Sequence, residues 1–201
     1  MEDNPSLKQH LRQTLRLHRV QLSPEKKEIS SQSLLSIINK IPQYLEGQYF
    51  AAYWPHGGEI SPIPILLQAH AQGKTCYLPK LEMEPTPKLT FIEYEPDDPL
   101  LPNRYGIFEP QLEDRPSIAA ADLDIVLTPL VAFDETGHRL GMGVGYYDRT
   151  FSFLLDNQRP SKPFLLGLAY DWQCVDNLPK DSWDIPLNGI VTDKRYIAIA
   201  T

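Results

Sequence analysis

Apolar residues recur every four positions near the start of the chain, at Leu7, Leu11 and Leu15. That interval marks one face of an α-helix. Asn4-Pro5 supplies a start signal, because proline sits readily at the first helical position; together they predict a helix over 5–21. Lys8, Arg12 and Arg16 repeat at the same interval one residue further on, so a basic row lies beside the apolar stripe. Ser23-Pro24-Glu25 opens a second helix, with Ile29, Leu34, Ile37, Ile38 and Ile41 toward the core and Pro42 as its stop.

Beyond Pro42 the pattern alternates. QYFAAYW (48–54), KTCYLP (74–79), KLTFIEY (88–94), DLDIVLTPL (122–130) and FLLGLAY (164–170) read as strands, and NGIVTDKRYIAIA (188–200) as short terminal strands. SPIPILLQAHAQG (61–73) reads as a helix that runs from a cap and a proline to Gly73, and residues 145–157 fit another. Strands alternating with helices predict an α/β fold with a largely parallel central sheet flanked by helices, a Rossmann-like three-layer arrangement. Residues 95–121 lack periodicity and read as an ordered loop over the site. A length of 201 residues suits a single domain over 1–201 with a sizeable core.

Composition narrows the classes. Hydrophobic residues make up 42% and charged residues 22%, as in ordinary soluble globular proteins. A net charge of -7 argues against a nucleic-acid partner. The charge is uneven: residues 1–27 hold six Lys/Arg against three acids, leaving 13 bases and 23 acids elsewhere. A basic N-terminal helix on an acidic body either docks on it or completes an anion site. Cys76 and Cys174 are far apart and form no zinc or redox motif. No apolar run nears the roughly 18–20 residues of a membrane span, and the start lacks the apolar core of a signal peptide. The expectation is a cytoplasmic protein with no membrane partner.

The candidate chemistry lies in RLGMGVGYYDR, Arg139 to Arg149. Gly141, Gly143 and Gly145 alternate with larger residues, between a strong apolar strand and a helix. In α/β sheets, ligands bind at the carboxyl ends of strands, and free N–H groups at a helix start favour anions. Arg139 and Arg149 bracket the run with positive charge. The stretch fits neither the GxxxxGK[ST] loop nor GxGxxG, which would need glycine where Tyr146 stands. Spacing alone leaves a structural turn and a phosphate cradle both open.

The longer string FDETGHRLGMGVGYYDR (133–149) resembles the signature of the 5-formyltetrahydrofolate cyclo-ligase (methenyltetrahydrofolate synthetase) family. KQHLR (8–12), YWPHGGEIS (53–61), GKTCYLP (73–79), GIFEP (106–110) and LPKDSWDIPLNGIVTD (178–193) follow in the family's order, so the likeness covers nearly the whole chain. The resemblance implies an enzyme that converts 5-formyltetrahydrofolate, polyglutamylated forms included, to 5,10-methenyltetrahydrofolate. It would cleave ATP to ADP and phosphate with Mg²⁺, and act as a monomer. Lys8 and Arg12 match ATP-binding positions on the N-terminal helix; Arg139, Gly141, Gly143, Gly145, Tyr146 and Tyr147 match the phosphate loop, with Arg139 and Tyr147 as catalytic candidates. Asp148 and Asp184 match magnesium positions, and Glu59 matches the glutamate that recognises the pterin, with Tyr53 and Tyr146 beside the substrate.

Each position also has a plainer explanation. Lys8 and Arg12 suit a solvated helix face, Arg139 a structural partner of Asp134 or Asp148, and Asp148 an acid at a helix start. Tyr53, Trp54, Phe108, Tyr146, Tyr147 and Trp183 serve equally as core or as an aromatic slot. Met142 and Val144 stand where some relatives carry Lys or Arg, which puts a polyglutamate preference in doubt. A non-catalytic folate or nucleotide binder on the same fold is the main alternative. A sugar-phosphate isomerase or CoA-transferase type enzyme would need no ATP.

Overall fold

The computed structural model describes residues 4–82, 85–111, 115–156 and 160–199. Its centre is an eight-stranded sheet built from β1 (Tyr49–Ala51), β2 (Thr75–Glu82), β3 (Lys88–Glu93), β6 (Ser117–Ile118), β7 (Ile125–Pro129), β10 (Phe164–Ala169), β11 (Gly189–Thr192) and β12 (Tyr196–Ala198). The order across the sheet is β12-β11-β10-β7-β1-β2-β3-β6. The inner strands β11, β10, β7, β1 and β2 pair in parallel, and β3, β6 and β12 add antiparallel edges. From β1 the chain steps to β2 on one side, then returns through β7 to β10 and β11 on the other. A crevice therefore opens beyond the carboxyl ends of β1 and β7, where such sheets place their ligands.

Both faces of the inner strands are apolar, as continuous hydrophobic runs require. Phe50, Ile125, Leu127, Leu166 and Leu168 face α2 (Pro24–Ile38), α3 (Pro42–Glu46) and α4 (Ile63–Ala71) through Leu34, Ile38, Tyr44, Ile65 and Leu66. Ala51, Val126, Leu165 and Ala169 face the other way, onto Phe133, Phe151, Leu154 and Leu187. That second face is covered by α5 (Tyr146–Thr150), the 3-10 turn Ser152–Leu155 and irregular chain. The predicted α/β architecture with flanking helices is what the chain adopts.

Several boundaries differ from expectation, each for a local reason. Ile29 is 53% exposed. It stands five residues before Leu34, about 140° away around a helix, and Ser30 and Ser31 occupy the buried face instead. Their hydroxyls are satisfied there: Ser30 donates to Asp193 at 2.9 Å, and Ser31 accepts the Ser61 N–H at 3.1 Å. The second helix ends at Ile38, and Pro42 starts α3 rather than stopping α2. The helix expected over 145–157 spans only Tyr146–Thr150, and residue 157 lies outside the described residues. Thr150 donates to the Tyr146 carbonyl at 2.8 Å and takes the Leu89 N–H at 2.9 Å, while buried Phe151 turns in against Phe91 and Tyr147. The aperiodic 95–121 stretch contains a hairpin, β4 (Leu100–Pro102) with β5 (Phe108–Pro110), as well as β6. The expected terminal strands form as β11 and β12; residue 200 lies outside the described residues.

The helix α1 (Asn4–Gln21) does not lie on the sheet. Leu11 and Leu15 pack against Ala132, Leu140 and Leu178, on the hairpin of β8 (Ala132–Phe133) and β9 (Arg139–Leu140). Asp134 builds the turn of that hairpin. Its buried carboxylate accepts the N–H groups of Thr136 at 3.0 Å and His138 at 3.2 Å, and the Leu178 N–H at 3.1 Å. Burial alone would raise this carboxyl, but the hydrogen bonds from Thr136, Leu178 and His138 outweigh it and hold it below the usual range.

Asp134→Asn should lower unfolding free energy by about 2–3 kcal/mol at pH 7, the scale of charge-assisted hydrogen bonds lost in a buried site. Because the folded carboxyl titrates below its unfolded value, the contribution is complete above about pH 4 and fades as pH falls through the folded value. Urea titrations of both proteins at pH 7 and near pH 3 check this, with the gap expected to narrow in acid.

Candidate functional site

A cavity of about 930 Å³ opens at the carboxyl ends of β1, β2 and β7. This lies at the upper end of the range for ligand sites and suits two ligands side by side. Its walls come from α1, the turn after β1, the hairpin loop around Tyr105 and Phe108, the glycine loop and the 181–184 segment.

At one end stands the glycine loop. The Nε of Arg12 donates to the Gly141 carbonyl at 2.9 Å, which ties the loop to α1. Gly143 has φ +105 and would bring a Cβ to 3.5 Å from the Arg12 guanidinium; glycine is required there by conformation. Gly145, at φ +77, starts α5. Gly141 has neither constraint: its φ is ordinary and a Cβ would meet nothing within 4 Å. A structural turn therefore explains Gly143 and Gly145 but leaves Gly141 unexplained by the protein itself. The helix after the loop, at five residues, is too short to add a strong dipole.

The charged side chains around the loop are paired. Lys8 Nζ lies 2.7 Å from Asp181 and 3.3 Å from Asp184. Burial alone would lower its pKa, but the two carboxylates outweigh it and the ammonium is held. Arg139 donates to Asp148 at 2.8 Å and to the Ile185 carbonyl at 2.6 Å, and its guanidinium stands 5.9 Å from the centre of the Tyr147 ring. Its partner is thus Asp148, not Asp134. Arg149 braces the loop, donating to the Val144 carbonyl at 2.6 Å and the Pro87 carbonyl at 2.7 Å.

At the other end stands Glu59. Its Oε2 accepts the His56 N–H at 3.0 Å, and its Oε1 lies 3.6 Å from Arg19 Nη1. Burial pushes the Glu59 carboxyl up, partly countered by Arg19, the His56 N–H and Arg16. Tyr53 closes this turn, its hydroxyl donating to the Ile60 carbonyl at 2.5 Å. Between the two ends lies Tyr147, whose buried hydroxyl has no hydrogen-bond partner among the described residues. An unpaired buried hydroxyl costs about 1–3 kcal/mol, so this group is poised for a polar partner that a ligand or an ordered water would supply.

With this geometry in view, comparison with known proteins is decisive. The sequence profile of the 5-formyltetrahydrofolate cyclo-ligase family matches residues 4–193. The chain belongs to this family. The Escherichia coli K12 5-formyltetrahydrofolate cyclo-ligase is 38% identical over 181 residues, covering 90% of this chain and 97% of that protein. The Haemophilus influenzae protein of the same name is 37% identical over 188 residues, 94% of this chain and 98% of that one. The structure of 5,10-methenyltetrahydrofolate synthetase from Aquifex aeolicus superposes with a TM-score of 0.80 at 31% identity, over 97% of this chain and 94% of that chain. A Mycoplasma pneumoniae 5,10-methenyltetrahydrofolate synthetase shares the fold, with a TM-score of 0.71 at 24% identity, over 93% of this chain and 99% of that chain.

The residues singled out from this cyclo-ligase sequence converge. Lys8, Arg12, Tyr53, Glu59, Arg139, Gly141, Gly143, Gly145, Tyr146, Tyr147, Asp148 and Asp184 all line the one cavity. His56 and Trp54 line it as well, and Trp183 stands at its edge, 64% exposed. Sequence reasoning left Asp181 and Arg16 without roles, although DSWD places Asp181 three residues before Asp184 and Arg16 continues the basic row of α1. Among the described residues no helix is long and apolar enough to cross a membrane.

Gly143→Ala should cost about 1–3 kcal/mol in stability, because it forces a positive φ, whereas Gly141→Ala should leave the unfolding midpoint unchanged. Thermal melts of the two variants distinguish a loop in which every glycine is structural from one in which Gly141 serves a ligand.

Proposed function

We propose that this cyclo-ligase family member closes the ring of 5-formyltetrahydrofolate to 5,10-methenyltetrahydrofolate at the expense of ATP, in the one cavity just described. The observation that carries the reading is the cavity's polarity. One end offers cations and a loop with an unobstructed glycine; the other offers a buried carboxylate.

The chemistry follows from the substrate. A formamide oxygen is a poor leaving group, so N10 cannot displace it in water. Attack by that oxygen on the γ-phosphorus of ATP forms an O–P bond and releases ADP. The carbon, now an iminium phosphate, is attacked by N10, which loses its proton. The C–O bond breaks, and phosphate departs with its electron pair. No step needs a protein nucleophile; alignment and charge neutralisation account for catalysis.

Lys8 and Arg12, one helical turn apart, can hold one polyphosphate together. Gly141 lets the loop backbone approach the phosphates. Tyr146 packs beside the loop, and the free Tyr147 hydroxyl suits a developing negative charge. Arg139 acts through Asp148, whose Oδ1 it fixes together with the Ile185 N–H at 3.2 Å. Glu59 can accept two parallel N–H bonds from the aminopyrimidinone edge of the pterin, with Tyr53 holding its turn.

A magnesium ion was expected at Asp148 and Asp184. Among the described residues no group of three or more His, Cys, Asp or Glu is placed to cage a metal. One oxygen of Asp148 is taken by Arg139 and the Ile185 N–H, and one of Asp184 by Lys8 and the Asp181 N–H. The other oxygen of each suits a magnesium ion carried in on a nucleotide, where carboxylates supply one or two ligands and phosphates and water the rest. Bound there, magnesium would neutralise phosphate charge during transfer.

The reading is tested by mixing protein, 5-formyltetrahydrofolate, magnesium and ATP and following the near-ultraviolet absorbance of the methenyl product. A rise that requires ATP supports it; folate binding without any rise favours a non-catalytic binding protein. Lys8→Ala, Arg139→Ala and Asp148→Ala should each lower turnover at least tenfold with the fold intact, and wild-type rates in all three would contradict the site. Glu59→Gln should raise KM for the folate more than it lowers kcat.

A further inference from the structure

Arg19 is 1% exposed, the largest fully buried side chain of the chain described here. It sits on α1, eleven residues or about 16 Å along the helix from Lys8, behind the cavity wall rather than in it. A buried guanidinium is tolerated only where partners replace water. Two of the three partners of Arg19 lie on one turn, and the third follows β7. Its Nε donates to the Gly57 carbonyl at 3.0 Å, and its Nη1 donates to the Leu130 carbonyl at 3.4 Å and lies 3.6 Å from Glu59 Oε1. The turn is pressed onto the helix itself: at Gly58, with φ +79, a Cβ would stand 2.8 Å from the Arg19 carbonyl oxygen.

We infer that Arg19 is the positioning residue for Glu59, clamping the 56–59 turn to α1 and holding the carboxylate as an anion aimed at the folate end of the cavity. This rests on the reading of Glu59 as the acceptor for the pterin edge. A carboxyl accepts two parallel N–H bonds from an aminopyrimidinone only when ionised, and this one is buried, so it needs a cation that the substrate does not supply. Arg19 provides that cation without occupying substrate space. The same helix carries Lys8 and Arg12 to the glycine loop, so α1 sets the distance between the two ends of the cavity.

The groups facing Glu59 come from several elements: Arg16 and Arg19 on α1, the His56 N–H in its own turn, Tyr53 after β1, Tyr147 on α5 and Tyr170 after β10. Burial pushes the three tyrosines up, Tyr170 to about 12, so they stay neutral through pH 9. Removing the Arg19 charge therefore raises the Glu59 carboxyl further, and the anion forms only at higher pH.

The test is the affinity for 5-formyltetrahydrofolate, read by protein fluorescence from pH 6 to 9 without nucleotide, with ATP affinity measured in parallel. Wild-type protein controls for the His56 ring. Arg19→Met should bind the folate at least tenfold more weakly at pH 6, with the deficit shrinking toward pH 9 and ATP affinity within twofold. Arg19→Lys, which keeps the charge and loses the fork, should show a smaller deficit that does not vary with pH. Wild-type folate affinity in Arg19→Met at every pH, or one pH-independent deficit shared by both variants, would overturn the assignment. If Arg19→Met does not fold, Arg19→Lys decides: a folate deficit with ATP affinity unchanged supports the clamp, and unchanged folate affinity overturns it. Wild-type protein that binds no 5-formyltetrahydrofolate would overturn the proposed function and this inference together. Arg19→Met matching a folate-binding wild type overturns the inference alone.

Discussion

The docking of α1 across the crevice is the constraint on which the site depends. A helix with a row of cations cannot be buried against a sheet, yet it carries a leucine stripe that must be covered. The chain resolves this by packing Leu11 and Leu15 on the β8–β9 hairpin and giving three of the helix's cations partners on different loops. Lys8 meets the 181–184 segment, Arg12 the Gly141 carbonyl and Arg19 the turn after β1. Three segments that are distant in sequence are thereby held in register by one rigid rod.

The sheet supplies the other half of the geometry. Because the chain order reverses between β1 and β7, the segments after these strands diverge and leave a crevice. The turn after β1 delivers Glu59, and the hairpin after β7 delivers Arg139 and the glycine loop. Asp134 matters here although it touches no part of the cavity: it ties the hairpin turn to the Leu178 N–H and so fixes the strand from which Arg139 projects. Buried Arg19 and buried Asp134 play parallel parts, each an ion whose satisfaction by backbone groups holds a loop at a definite angle. Breaking such an arrangement costs far more than any surface pair, because the remaining charge is left dry.

Much of this was legible in the sequence where a period or a motif spoke for it. The leucine stripe of α1 and the apolar runs of β1, β2, β3, β7 and β10 follow from hydrophobic spacing; the antiparallel pairing of β2 with β3 does not. Where tertiary contacts overrode local preference, the pattern misled. Ile29 belonged to no buried face, because two serines took that face and found partners there; the helix after the glycine loop stopped at Thr150, because Phe151 was drawn into the core; and hairpin β4–β5 carries no alternation, since it is wedged between the cavity and β2, with Glu109 accepting the Leu81 N–H. The site residues were found by likeness of ordered motifs, and they meet in one cavity. Arg19 escaped notice because in sequence it is one more base in a basic helix; only burial separates it from Arg16. Asp181 was overlooked for the opposite reason, as an ordinary acid in an exposed-looking loop whose pairing with Lys8 spans 173 positions.

The central claim is that nucleotide and folate occupy opposite ends of one cavity, with the formyl oxygen facing the γ-phosphate near Tyr147. A crystal structure with a non-hydrolysable ATP analogue, magnesium and 5-formyltetrahydrofolate tests it most directly. The account predicts phosphates against Gly141, Lys8 and Arg12, the pterin edge on Glu59, and the Tyr147 hydroxyl bonded to a ligand oxygen. A nucleotide bound outside the cavity, or a pterin turned away from Glu59, would contradict it.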